Sequence, residues 1–146
     1  MDRRRFVKTT AAAGAGVALG MTPFQIRTKS DIDRFYNGSI VIDTLCVGHD
    51  WDKEELDAVK LSGYTGIQTS LANRTWDSSL KSIADWNDRI DNHSDIFIKA
   101  TKAAHFKQAK KDGKLAVMYG HQNATMIENK VDRLDILHDL GTRCIQ

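Results

Sequence analysis

From Ser39 onward the apolar positions switch between two periods. Ser39-Ile-Val-Ile-Asp-Thr-Leu-Cys46 is a short β-branched run, suited to a strand buried on both faces. Asp52 to Leu61 reads as a helix, with an acidic first turn (Asp52, Glu54, Glu55) against the helix dipole and Leu56 and Val59 on one edge; Ser62-Gly63 ends it. Tyr64-Thr-Gly-Ile-Gln-Thr-Ser-Leu71 is a second strand. Asn73 to His93 is a long helix, because Trp76, Leu80, Ile83 and Ile90 recur at helical spacing. A third strand, Asp95–Ala100, leads into a short basic helix, Ala103–Lys111, closed by Asp112-Gly113. Lys114–Tyr119 is a fourth strand and Glu128–Leu140 a helix striped by Val131, Leu134, Leu137 and Leu140, with Gly141 as its cap. Arg143-Cys-Ile-Gln146 begins a fifth strand.

Strand and helix alternate in units of about 25 residues, which predicts parallel strands joined by helical crossovers. Two architectures carry such a pattern: an open doubly wound sheet and a closed β/α barrel. A flavodoxin-like sheet would cover its fifth strand with one more helix, so the expectation is an α/β chain forming about the first half of a larger protein, with a TIM-type barrel and an open sheet both still allowed. The expected domains are an export signal and linker over 1–30 and the barrel portion over 31–146.

Composition narrows the function. With 41% apolar residues, 27% charged residues, two Cys and one Pro among 146, the chain is neither a disulfide scaffold nor a disordered polymer. Of its 21 basic and 19 acidic side chains, four basic and one acidic lie in the first 20 residues, leaving the body at −1. That balance predicts no nucleic-acid partner, since a binder of phosphate backbones carries a basic stripe. The basic head, Arg3-Arg4-Arg5-Phe6-Val7-Lys8, precedes an uncharged Ala/Gly-rich run. Its apolar part, Ala11–Met21, is 11 residues long, far short of the roughly 20 that span a bilayer. No permanent membrane anchor is expected. The paired Arg4-Arg5, the bulky Phe6 and Lys8 resemble a twin-arginine export signal, which implies the twin-arginine export machinery as a partner and a periplasmic or extracellular location. Gly14-Ala-Gly16 lacks the flanking strand and helix that a dinucleotide-binding turn needs.

Three segments resemble the membrane (renal) dipeptidase family of zinc peptidases. Ile40-Val-Ile-Asp-Thr-Leu-Cys-Val47 is similar to the family's first strand, which ends Asp-x-His-x-Asp. Gly113-Lys-Leu-Ala-Val-Met-Tyr-Gly-His-Gln-Asn123 is similar to the strand that carries the metal-bridging Glu. Asp132–Gln146 is similar to the helix and strand that follow. The resemblance implies a (β/α)8 barrel with two zinc ions at the C-terminal strand ends, and hydrolysis of dipeptides by a metal-bridged water. Carried over position by position, the first His falls on Leu45, the first Asp on Val47 and the bridging Glu on Gln122. Leu and Val have no lone pairs, and a neutral amide lacks the charge that holds two cations together. The implied zinc therefore meets degenerate ligand positions.

His49, Asp50 and Asp52 lie just past the first strand, where barrel ligands emerge. His49 and Asp50 are the only metal candidates there, against the reading in which Asp52 simply caps the next helix. His121, Gln122 and Asn123 follow the fourth strand and are the candidate substrate-pocket residues. Against that stands their use in satisfying a loop. Cys46 and Cys144 read as two thiols. Lys99, Lys102, Lys107, Lys110, Lys111 and Lys114 form the one basic cluster, a solvated helix face or a minor phosphate site. The leading expectation is an exported dipeptidase-type metallohydrolase portion; the alternative is a small-molecule-binding protein on the same barrel without catalysis.

Overall fold

The computed structural model describes residues 29–48 and 50–146. The export-type head and His49 lie outside the described residues. Helix α1, Lys29–Gly38, begins in an N-terminal unit that reaches Phe35 and ends in a second unit, Tyr36–Gln146. The second unit contains β1 (Ile42–Cys46), α2 (Lys53–Ser62), β2 (Gly66–Ser70), α3 (Trp76–Asn92), β3 (Phe97–Lys99), α4 (Ala103–Asp112), β4 (Leu115–His121), a 3-10 turn (Thr125–Ile127), α5 (Arg133–Asp139) and β5 (Thr142–Ile145). All strand pairs are parallel.

The strands do not follow one another around the sheet in chain order. β2 lies between β1 and β4, and β4 pairs with both β3 and β5. Residue parity along β4 shows how. Even-numbered groups face β2, as in Ala116 N–H to Thr65 O and Leu71 N–H to Gly120 O. Odd-numbered groups face the other edge, where Leu115 N–H bonds Ile96 O and Ala100 N–H bonds Val117 O, while Gln146 N–H bonds His121 O. β3 and β5 thus share one edge of β4, β3 at its start and β5 at its end. The continuous line is β1-β2-β4-β5, with β3 a three-residue fringe rather than a stave of its own.

This order fixes the helix layers. Crossovers between parallel strands are right-handed. The steps β1 to β2, β2 to β3 and β4 to β5 run in one direction across the sheet, whereas β3 to β4 steps back. α2, α3 and α5 therefore pack on one face and α4 on the other. The main core lies on the first face, with Leu56 of α2, Ile83, Trp86 and Ile90 of α3 and Leu137 of α5 over Ile67, Leu115, Val117 and Tyr119. Trp51, Trp86 and Phe97 meet edge to face at its centre, with ring centroids 4.9 to 6.1 Å apart. A smaller cluster, Ala100, Ala109 and Ala116 with Ile98, Phe106 and Met118, holds α4 to the second face.

Several local expectations change. β1 is not buried on both faces: Ile42 and Leu45 are 39% and 45% exposed, because β1 is an edge strand with β2 alone beside it among the described residues. The helix expected from Glu128 starts only at Arg133. Glu128 instead sits at φ 52° after the 3-10 turn, where its carboxylate accepts from Trp76 N–H (3.0 Å) and from Arg133 (2.7 Å). The carboxylate thereby satisfies one of the free N–H groups at the start of α3. Gly63 and Gly113 do end α2 and α4, at φ 72° and 67°, a region costly for residues with a Cβ.

Candidate functional site

In parallel β/α folds the chemistry gathers where strands run out at their C-terminal ends. β1 reaches that end through a bulge. Asp43 pairs with Ile67 and Cys46 with Thr69, three residues against two. Asp43 Oδ1 takes the Leu45 N–H (3.0 Å) within the irregularity. The extra residue turns Cys46 toward the helix-packed core and leaves Leu45 on the opposite face. Leu45 and Val47 are 45% and 59% exposed there.

β4 ends differently from the sequence expectation. His121 belongs to the strand itself and is fully buried on the helix-packed face. Its Nε2 lies 3.3 Å from Ser79 Oγ, also fully buried, and its Nδ1 has no partner. An unpaired lone pair costs less than an unpaired N–H, so we place the proton on Nε2, donating to Ser79. Burial drives the His121 pKa down to about 4, keeping the imidazole neutral. Gln122 and Asn123 are exposed. Asn123 Oδ1 accepts from Thr125 N–H (2.9 Å), an Asx turn that starts the 3-10 segment. The fold therefore separates the three pocket candidates: His121 faces Ser79 and the core, Gln122 faces solvent, and Asn123 shapes a loop.

Asp50 is exposed, and Asp52 accepts from Glu55 N–H (3.0 Å) as the N-cap of α2. Among the described residues no three His, Cys, Asp or Glu side chains gather as a metal site would require. The residues present do not fit a zinc pair: Leu45 and Val47 are hydrocarbon, Gln122 is neutral, and His121 is turned to the other face. Cys46 and Cys144 are free, half-buried thiols; burial and the neighbouring Asp43 push the Cys46 pKa up, away from the thiolate a metal would need.

Two polar features hold places that the sequence reading did not give them. Gln68 lies on the α4-side face against Gly120, almost fully buried, and its Nε2 has no partner. Strict alternation in β2, with Ile67 and Thr69 on the core face, is the signal that places it. The second is Lys99, whose Nζ donates to Asn87 Oδ1 (2.9 Å) and Leu140 O (2.8 Å) and sits 4.6 Å from the Tyr119 ring centre. Tyr119 OH donates to the same Asn87 oxygen (2.9 Å). Desolvation, helped by nearby Arg143, lowers the Lys99 pKa, and desolvation raises that of Tyr119. This network ties the end of β3 and the middle of β4 to α3 and to the end of α5.

A scan against protein-family profiles finds no match, and no curated protein matches significantly. Solved structures do match. An amidohydrolase from Pseudomonas aeruginosa is similar over 78% of this chain and 35% of its own, with 26% identity and a TM-score of 0.74. The probable dipeptidase PvdM from Pseudomonas aeruginosa is similar over 82% of this chain and 37% of its own, at 16% identity and a TM-score of 0.65. The dipeptidase AC, a metallopeptidase of family M19, is similar over 71% of this chain and 41% of its own, at 17% identity and a TM-score of 0.59. The fold is an α/β parallel sheet of alternating strands and helices that matches part of these dipeptidase-type β/α barrels, with β3 and β5 sharing an edge of β4 here. The chain spans between 35% and 41% of the length of these structures.

Proposed function

We propose that this chain is the portion of an amide-hydrolase barrel of the dipeptidase type that walls the strand-end cleft without furnishing metal ligands. The observation that carries the reading is the match to the amidohydrolase, which runs through 78% of the chain at a TM-score of 0.74. The substrate class is small amides such as dipeptides. This portion contributes shape and neutral contacts, with Leu45 and Val47 as apolar wall and Gln122 as an amide able to bond a substrate carboxylate or carbonyl. No step is assigned to zinc here, since none of these three positions can hold it.

The apolar wall also favours a second reading, a small-molecule-binding barrel without catalysis. Two measurements on the whole barrel that contains this portion separate them, the portion alone being expected to be inactive: bound metal by elemental analysis, and release of amino acids from a dipeptide panel. The hydrolase reading expects turnover; stoichiometric ligand binding with neither metal nor turnover would leave the binding reading in place.

Export belongs to the same proposal. Arg4-Arg5-Phe6-Val7-Lys8 supports delivery across a bacterial inner membrane in the folded state. Replacing both arginines (Arg4→Lys, Arg5→Lys) should retain the protein in the cytoplasmic fraction, and unchanged periplasmic recovery would remove that part.

A further inference from the structure

The connections that leave β2 and β4 at their C-terminal ends, residues 71–75 and 122–132, are tied together by Glu128. Its Oε1 accepts from the N–H of Trp76, the first residue of α3 (3.0 Å), and its Oε2 from Arg133 Nη1 at the start of α5 (2.7 Å). The same Arg133 Nη1 reaches Ile127 O (3.3 Å), and the guanidinium lies over the Trp76 ring, 4.5 Å from its centre. The Arg133 side chain is 13% exposed, so its end of the pair is largely shielded from water. Trp76 N–H first, and then Arg133, hold the Glu128 carboxyl below its usual range, which keeps the tie ionised.

α3 already carries its own reciprocal cap, formed by Thr75 and Ser78, so the Glu128 bond is an addition to it. What this distant bond adds is a fixed place for the chain between β4 and Glu128. Glu128 and Asn129 both hold left-handed backbone, at φ 52° and 59°, a conformation that non-glycine residues keep where contacts impose it. Upstream the chain has no slack. Asn123 Oδ1 takes Thr125 N–H (2.9 Å), Ile127 N–H bonds Ala124 O (3.1 Å), Glu128 N–H bonds Thr125 O (3.1 Å), and Met126 is fully buried. A segment bonded this densely shifts as one body, and Gln122 stands at its β4 end.

We propose that Glu128 is a positioning residue for Gln122: by gripping Trp76 N–H and Arg133 it sets where the Gln122 amide stands at the strand ends. This role rests on the reading of Gln122 as a neutral cleft contact. A contact of that kind holds substrate and transition state alike, so loosening it raises KM and leaves kcat in place. A carboxylate that only stabilised the fold would lower the melting temperature and leave KM where it was.

The test uses the whole barrel that contains this portion, with L-alanyl-L-alanine as the probe, read as KM where it is hydrolysed and as Kd where it is only bound. Glu128→Ala should raise that constant about fivefold with kcat unchanged, and Glu128→Gln, which keeps an acceptor for Trp76 N–H, should restore most of the loss. Gln122→Ala should raise it by a similar factor. In that background Glu128→Ala should add nothing further, because both changes remove one contact. Deuterium exchange over residues 122–128 should quicken about tenfold in Glu128→Ala while that of β2 stays as it was. Turnover with a KM that Glu128→Ala does not move, or moves equally with and without Gln122, overturns the role of Glu128 and leaves the hydrolase reading standing. So does unchanged exchange over residues 122–128. Binding without turnover that depends on Glu128 only when Gln122 is present upholds Glu128 and overturns the hydrolase reading. Neither binding nor turnover of the probe removes the role, since Glu128 then has no contact to set, and the wider dipeptide panel decides the hydrolase reading by itself.

Discussion

At the scale of single residues, His121 is the most consequential side chain that the fold relocates. Its residue type and its place after an apolar run fit a strand-end ligand, but strand parity puts it under α3, against Ser79. A buried imidazole with one unpaired nitrogen makes stability depend on pH. Because the folded pKa of about 4 lies below the unfolded value near 6.5, protonation favours the unfolded chain. The stabilisation is complete above roughly pH 6.5 and is lost as the pH falls towards 4, by about 2 to 3 kcal/mol at pH 4.5. Urea unfolding at pH 7.5 and 4.5 should show this loss, and His121→Leu should reduce it by about 2 kcal/mol. An equal loss in both proteins would mean that His121 is not the titrating group.

At the scale of elements, most starts and stops are local chemistry. Asp52 caps α2, Thr75 and Ser78 form a reciprocal capping box at α3, and Gly63 and Gly113 close α2 and α4. The missed boundary, at Glu128, came from a distant partner: Trp76 N–H lies 52 residues away in sequence. Helix packing has its own pinch point. Phe106 of α4 rests directly on Gly66, where a Cβ would overlap its ring and meet Ala116 O at 3.1 Å. Gly66→Val should therefore push α4 off the sheet and destabilise by about 1 to 3 kcal/mol, read as a lowered urea midpoint. The double variant Gly66→Val, Phe106→Ala should lose less than the two single changes added together, since they act on one contact.

At the scale of the whole molecule, the arrangement is a parallel sheet in which one backward step sends α4 to the face opposite the other helices. That face also carries Leu45 and ends near Gln122. If these positions correspond to ligand positions of the dipeptidase barrel, restoring donors should create metal affinity. The triple change Leu45→His, Val47→Asp, Gln122→Glu should bind zinc at least tenfold more tightly than the unmodified chain in a competitive dye titration, whereas Leu45→His alone should change little, because one imidazole does not make a site. No gain from the triple change would detach these positions from the metal-site correspondence.

Periodicity alone determined much of this protein. The β/α alternation, the parallel sheet and the glycine-ended helices follow from local sterics and from the spacing of apolar side chains, which are written residue by residue. Even the inability of Leu45, Val47 and Gln122 to hold a metal pair was legible, since it depends only on what those side chains are. Tertiary structure decided the rest. Neighbour order in a sheet is a long-range choice, so nothing within Phe97–Lys99 could announce that β3 shares an edge of β4 with β5. A one-residue shift in register reverses the face of every side chain beyond it. The bulge between Asp43 and Cys46 is such a shift, and with the extension of β4 through His121, which keeps the strand's alternation, it determines which candidate residues share a face.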